Sequence, residues 1–235
     1  MSGASVNYPN GLTGSTPLHE AVESSQTAEF NTFFAMFCAL RGLSSGEESP
    51  YSLFDHKASS PFVACLDSET VTSGDTPLSR ALLLKRHRIA ALLIRHGCDV
   101  NHGGVYSSWG APTGDHLSIA KARGLVNLVR LLVKAGFHLN NVKWLPKFQS
   151  NQSTSNQDGA QDHDAITLWL MEAKHNPQPL VDICRLVIRR RLRDRVAFSI
   201  ANSGLPKPLK MFLMLEDIGD DGSREDFEVM ESIFM

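Results

Sequence analysis

The sequence has few of the features that would tie it to a membrane or to an oxidising compartment. It has only four cysteines in 235 residues and no Cys-x-x-Cys pair; they are Cys38, Cys65, Cys98 and Cys184. This spacing argues against a disulfide framework and against a zinc ribbon. The most apolar stretch, 33–40, is far shorter than the ~20 residues of a membrane-spanning helix. No secretory signal opens the sequence, so we expect a soluble protein of the cytoplasm, with the nucleus as a second compartment.

Excess charge of one sign is also lacking. The 23 Lys and Arg residues nearly balance the 25 Asp and Glu residues, which argues against a strongly basic nucleic-acid binder. The balance is uneven along the chain, because residues 216–235 hold eight acidic residues and one arginine. The acidic end could shield the arginines between Arg185 and Arg195, but we expect a solvated, disordered tail. The arginines from Arg189 onward are expected on a solvated helix face.

Three segments in the N-terminal part of the chain share one pattern. They open with Thr-Pro-Leu-His-Glu-Ala at Thr16, Thr-Pro-Leu-Ser-Arg-Ala at Thr76 and Asp-His-Leu-Ser-Ile-Ala at Asp115. In the second and third segments a Gly-x-x-(Val/Leu)-Asn ending begins 21 residues later, at Gly97 and Gly136. Apolar residues between these landmarks recur at i, i+3 and i+4, twice in each segment. We therefore predict helical hairpins, which must stack on one another to bury their apolar faces.

The opening Thr-Pro-Leu-His-x-Ala pattern is typical of ankyrin repeats, and the chain resembles them over 14–42, 75–101 and 114–140. Successive openings are 60 and 39 residues apart, more than the ~33 of a regular array. The surplus predicts insertions at 44–73 and 102–113. The first of these could also contain a decayed repeat.

A polar segment separates this array from the rest of the chain. Residues 149–164 have Ala160 as their only aliphatic side chain, which predicts a linker between an array over 1–148 and a C-terminal unit over 165–215. Apolar spacing resumes at Ile166, where we predict a connecting helix that packs on the end of the array.

A strongly amphipathic helix is predicted after Pro179. Its apolar residues share one helical face; they are Leu180, Ile183, Cys184, Val187, Ile188 and Leu192. A unit of about 40 residues cannot bury a core by itself. Its apolar surface must therefore contact either the array or a separate protein.

The C-terminal unit resembles a SOCS box. Leu180-x-x-x-Cys184-x-x-x-Ile188 looks like the elongin-binding box, and the run Leu-Pro-Lys-Pro-Leu-Lys-Met-Phe-Leu from Leu205 looks like the end of the same module. The chain is thus similar to the ankyrin repeat and SOCS box family. That family usually has two successive Leu-Pro-like pairs, and here Ser203-Gly204 replaces the first of them.

The resemblance implies an all-α fold, an ankyrin solenoid followed by a small helical SOCS box. It implies a non-catalytic substrate receptor of a cullin-RING ubiquitin ligase, with no cofactor and no metal. Elongin B–elongin C would be bound by Leu180, Ile183, Cys184, Val187 and Ile188. The cullin would be bound by Ile200, Leu205 and Pro206. A protein target would contact hairpin tips, for which the candidates are Asp75, Tyr106, Trp109 and Asp115.

Two other classes of function stay open. The chain could be an ankyrin scaffold without a ligase role, in which the Leu180, Cys184 and Ile188 face is internal core. It could also be a hydrolase, because Gly42-Leu43-Ser44-Ser45-Gly46 matches Gly-x-Ser-x-Gly. That motif needs a preceding strand, whereas a helix is predicted there, so we interpret the match as chance. His96, Cys98 and His102 are metal ligands by type only, and His19 is expected to form hydrogen bonds within the stack.

Overall fold

The computed structural model describes residues 7–24, 64–103, 105–106, 112–145 and 161–219. Within these ranges the secondary structure is almost entirely helical, which confirms the all-α prediction. The α-helices are α1 Pro17–Ser24, α2 Pro77–Leu83, α3 His87–Arg95, α4 His116–Ala122, α5 Val126–Lys134, α6 Gln161–His175, α7 Leu180–Leu192, α8 Val196–Ala201 and α9 Lys207–Leu213. Short 3-10 turns cover Leu139–Asn141 and Arg193–Arg195. In the predicted insertion, β1 Val105–Tyr106 pairs antiparallel with β2 Pro112–Gly114.

Local sequence explains where the first helix of each hairpin begins. The Thr76 hydroxyl accepts a hydrogen bond from the Ser79 N–H at 3.2 Å, and Pro77 occupies the first turn of α2. The Asp115 carboxylate caps α4 in the same way, 2.6 Å from the Ser118 N–H. These contacts satisfy N–H groups that have no partner within the helix. The second helices, α3 and α5, bury nearly all of their apolar residues in the core between neighbouring hairpins.

Buried histidines connect one hairpin to the next. His19 Nδ1 accepts from the Thr16 N–H at 3.2 Å, so its Nε2–H donates to the Asp75 carbonyl at 3.0 Å. His116 Nδ1–H donates to the Val100 carbonyl at 2.9 Å, and Nε2 accepts from the Ser79 hydroxyl at 2.9 Å. Burial lowers the pKa of both imidazoles. The predicted role of His19 within the stack is confirmed.

The end of the first repeat lies much later in the sequence than predicted. A side-chain oxygen at the end of one hairpin accepts a hydrogen bond from a backbone N–H of the next, at 2.7 to 2.8 Å. The pairs are Asn7 with Cys65, Asp67 with Asp99, and Asn101 with His138. Residues 65–67 therefore occupy the closing position of the repeat that α1 opens. Helix α1 packs directly against α2. Residues 25–63, which include the predicted end at Gly42 and most of the segment that could contain a decayed repeat, lie outside the described residues.

Helix α6 packs on the last turn of the array, at Leu139–Asn141, as the spacing from Ile166 predicted. Ile166 and Leu170 are its buried residues on the core. It begins at Gln161, inside the segment predicted as a linker, so the linker boundary at residue 164 is wrong. No helix in the described ranges is both long enough and apolar enough to cross a membrane.

Helices α7, α8 and α9 form a small unit that lies against the C-terminal ends of α3 and α5. Glycines that follow these two helices allow the close approach. Gly97 has φ +96°, and a Cβ there would lie 2.2 Å from the Arg193 carbonyl oxygen. At Gly136, with φ +102°, a Cβ would lie 3.0 Å from a methyl carbon of Leu186.

Candidate functional site

Helix α7 is turned so that its apolar side faces solvent. Leu180 is 73% exposed, Val187 61% and Ile188 40%, and Ile183 and Cys184 are exposed beside them. We refer to these five residues as the docking face. No described residue covers it, so in this part of the chain it is not internal core.

The opposite side of α7 is charged and buried. Asp182, Arg185 and Arg189 follow one another at i, i+3 and i+7, and Arg185 and Arg189 are only 2% and 5% exposed. Asp182 and Arg189 contact the repeats, and Arg185 contacts the chain at and after α9. The prediction that the arginines from Arg189 onward are solvated is therefore wrong for Arg189, although Arg190, Arg191, Arg193 and Arg195 are exposed.

Arg189 connects the ends of two helices. Its guanidinium donates to the Ile94 carbonyl at 2.5 Å and the Arg95 carbonyl at 3.2 Å, at the end of α3. It also donates to the Leu213 carbonyl at 2.8 Å, at the end of α9. Carbonyls at a helix C-terminus lack intrahelical partners and carry partial negative charge, so a cation satisfies them well. Burial lowers the pKa of Arg189 to about 10, and the guanidinium remains charged at neutral pH.

An ion-pair network surrounds the other two charged residues. Asp182 pairs with Lys134 at the end of α5 and lies 3.9 Å from Arg185. Arg185 donates to the Asp217 carboxylate at 2.7 Å and lies 3.5 Å from the centre of the Phe212 ring. Residues 216–219, predicted as the start of a solvated tail, are therefore partly held against α7. Residues 220–235 lie outside the described residues.

The residues predicted to bind a cullin fall in different environments. Ile200 is a residue of α8 and is buried in the core, whereas Leu205 is 38% exposed and Pro206 is also exposed. Gly204 has open space around it. Burial gives Ile200 a packing role, and Leu205 and Pro206 form the accessible part of the segment.

Among the predicted target-binding residues, the structure describes the side chains of Asp75 and Asp115. Asp75 is buried, where its carboxylate accepts from the Ser73 hydroxyl at 2.7 Å and lies 3.8 Å from Arg80. Its assignment to an exposed hairpin tip is thus wrong. Asp115 is half-buried as the cap of α4. Tyr106 lies in β1, and Trp109 lies outside the described residues.

The described ranges offer little support for the other two candidate sites, a metal site and a hydrolase site. His96 and Cys98 are buried, and His102 is exposed, 3.3 Å from Glu69. No group of three or more His, Cys, Asp or Glu side chains in these ranges is placed to hold a metal. The Gly-x-Ser-x-Gly match around Ser44 lies outside the described residues.

The sequence reasoning missed the importance of the charged stripe. Its spacing of i, i+3 and i+7 is as regular as that of the apolar face, and this regularity was a usable signal. It also missed exposed apolar residues on α8 and α9, which are Phe198, Leu209 and Met211.

Comparison with known proteins agrees with this architecture. The ankyrin repeat family model matches residues 73–104. Ankyrin repeat and SOCS box protein 1 of Mus musculus is 33% identical over 88 residues, which are 37% of this chain and 25% of that protein. The Homo sapiens protein of the same name is 35% identical over 88 residues, with the same shares covered. The matched part thus spans about a quarter of the length of these relatives.

The described helical hairpins and the family-model match at residues 73–104 agree with an ankyrin-repeat fold. The chain is similar to two members of the ankyrin repeat and SOCS box family, as the sequence motifs indicated.

Proposed function

We propose that the chain is a non-catalytic substrate-recognition subunit of an elongin–cullin–SOCS box RING ubiquitin ligase, acting in the cytoplasm. The docking face of α7 binds elongin B–elongin C, and the segment at Leu205-Pro206 contacts the cullin. The repeats bind a protein target, which is ubiquitinated and then degraded by the proteasome. The chemistry resides in the partner subunits.

The observation that carries this proposal is the exposure of the docking face. An amphipathic helix usually lays its apolar side into a groove, either in its own domain or in a partner. Full burial of a leucine-sized side chain stabilises a complex by about 1.5–3 kcal/mol relative to leaving it in water. Leu180, at 73% exposed, has nearly all of this free energy still available to a partner.

The charged stripe supports the same function. Arg189 and Asp182 hold α7 on the repeats through Ile94, Arg95 and Lys134, and these contacts leave the apolar side outward. A helix that is already ordered loses less conformational entropy on binding. The docking face is therefore preorganised for a rigid partner.

The decisive experiment measures binding of the purified full chain to elongin B–elongin C by calorimetry. Leu180→Ala combined with Ile188→Ala should weaken binding by at least ~100-fold, because central apolar anchors each contribute about 2 kcal/mol or more. Leu168→Ala is the matched control. Leu168 is also an exposed leucine, at 52%, but it lies on α6 and not on the docking face, so this change should alter affinity less than ~5-fold.

The alternative of an ankyrin scaffold without a ligase role makes the opposite prediction. A folded wild-type chain that does not bind elongin B–elongin C would support the scaffold and overturn the ligase proposal. Recovery of a cullin with the elongin-bound chain, and its loss in Leu205→Ala, would test the cullin step separately.

A further inference from the structure

Repeats two and three carry an excess of positive charge. Between residues 77 and 145 there are ten Lys or Arg residues and two Asp or Glu residues. Asp75, at the opening of repeat two, lies 3.8 Å from Arg80, and two further carboxylates come from outside these repeats. Glu23 of α1 pairs with Arg80 at 3.1 Å, and Asp182 of α7 pairs with Lys134.

Part of this charge collects where α2 turns into α3 and α4 turns into α5. We call this surface the basic turn edge, and it comprises Lys85, Arg86, Arg88 and Arg123. Arg86 donates to the Glu23 carbonyl at 2.8 Å. Arg123 donates to the Leu82 carbonyl and, at 3.3 Å, to the Leu83 carbonyl. The main-chain acceptors of Arg86 and Arg123 order these guanidinium groups and carry no net charge.

After α9 the chain runs toward the basic turn edge. Leu215 is buried, the Asp217 carboxylate binds Arg185, and Arg95 at the end of α3 donates to the Ile218 carbonyl at 2.8 Å. Gly219 then lines a shallow depression with residues at the starts of α3 and α5, among them His87, Arg88 and Asn127. Residues 217–219 thus run along α3 from its last residue to its first.

The sequence that continues from Gly219 is acidic. Residues 220–231 contain six Asp or Glu residues and one arginine. Asp220 follows Gly219 directly in the sequence, and consecutive Cα atoms are about 3.8 Å apart. Nine extended residues span about 30 Å, whereas neighbouring helices are about 10 Å apart. The acidic segment can therefore reach every cation of the edge.

We propose that the acidic segment 220–231 of this chain binds the basic turn edge of repeats two and three. The contact extends the path of residues 217–219 and fastens the C-terminal unit to the array. It is independent of elongin binding. Because Coulomb attraction between partly exposed groups is screened by salt, the contact weakens as ionic strength rises.

A second basic surface offers an internal comparison. The Arg193 carbonyl lies at the other end of α3, beside Gly97, and Arg191, two residues earlier, is exposed. A nine-residue helix is about 13 Å long, so the two surfaces can be distinguished by a short-range cross-link.

The test uses the full chain and a carbodiimide, which joins a carboxylate to an amine only when the two are in contact. In the wild type we expect cross-links from Glu225 or Asp226 to Lys85, identified by mass spectrometry at low salt and at least ~5-fold rarer in 0.5 M NaCl. The charge-conserving Arg88→Lys should add a cross-link at position 88. The matched Arg191→Lys should add none at position 191.

Cross-links at position 191, or predominantly to Lys143 or Lys207, would overturn the proposal. So would the absence of any cross-link from Glu225 or Asp226 to Lys85 at low salt. Neither lysine substitution removes a charge, and elongin binding by the same samples reports on the proposed function separately.

Discussion

Helices α3 and α7 are both amphipathic, but they turn opposite sides toward the array. In α3 the apolar residues Ile89, Leu92 and Leu93 are buried. In α7 the apolar residues are exposed, and the charged stripe of Asp182, Arg185 and Arg189 is buried instead. Amphipathicity thus identifies two sides of a helix without stating which side faces the molecule's own core. The inverted helix is the one that has surface left for a partner.

The most direct test of this difference between α3 and α7 replaces one leucine in each helix by alanine. Leu93→Ala in α3 should lower the free energy of unfolding by about 3 kcal/mol or more, because it leaves a cavity in a packed core. Leu180→Ala in α7 should change it by less than about 0.5 kcal/mol, since that side chain is already in water. Urea titrations of the two variants measure both values. Equal losses would mean that the docking face is packed in solution.

The next test concerns the buried charge of α7. Arg189→Met keeps much of the side-chain volume but removes three hydrogen bonds from carbonyls at helix ends. We expect a loss of about 2–4 kcal/mol in the free energy of unfolding, because those carbonyls stay buried without partners. Arg191→Met, at an exposed position on the same helix, serves as control and should cost less than about 0.5 kcal/mol. Similar values for both variants would contradict the structural role of Arg189.

The smallest effect concerns the histidines of the array. Burial lowers the pKa of His19 and His116 in the folded state, so the unfolded chain takes up protons more readily. Stability should therefore fall as pH decreases from about 7 to 5, by at most ~1.4 kcal/mol per pH unit for each histidine.

His116→Pro tests this dependence with a residue that the fold accepts, because proline stands at the equivalent positions 17 and 77. Its stability should vary less with pH than that of the wild type when both are titrated with urea at pH 7, 6 and 5. An unchanged pH profile would mean that the buried imidazole does not titrate in this range.

The sequence predicted what depends on local pattern. The hairpins, the capping roles at the openings and the hydrogen bonding of His19 follow from residues within one repeat or its immediate neighbour. The burial of Arg189 could not be predicted from local sequence, because the carbonyls that it binds, at Ile94, Arg95 and Leu213, are brought together only by the fold. The end of the first repeat was placed at Gly42 because it is the next glycine after Thr16, and the pairing of Asn7 with Cys65, which indicates a later end, is not local.

The two predicted surfaces differ in how well sequence could find them. The docking face is a single stripe on one helix, so its residues could be named from periodicity and motif alone. The target surface would be assembled from separate hairpin tips. Asp75 shows the difficulty, because an aspartate in a turn can point into the protein as easily as out of it.

Gly97 carries two constraints that usually fall on different residues. Its φ of +96° suits the turn after α3, and the missing side chain leaves room for the Arg193 carbonyl oxygen. Asparagine can serve the first purpose, as it does at many helix ends, but no residue with a Cβ can serve the second. An array evolving without the C-terminal unit would be free to exchange this glycine, whereas one that retains the unit would not. A glycine that is required at position 97 therefore indicates that a C-terminal module packs against this repeat.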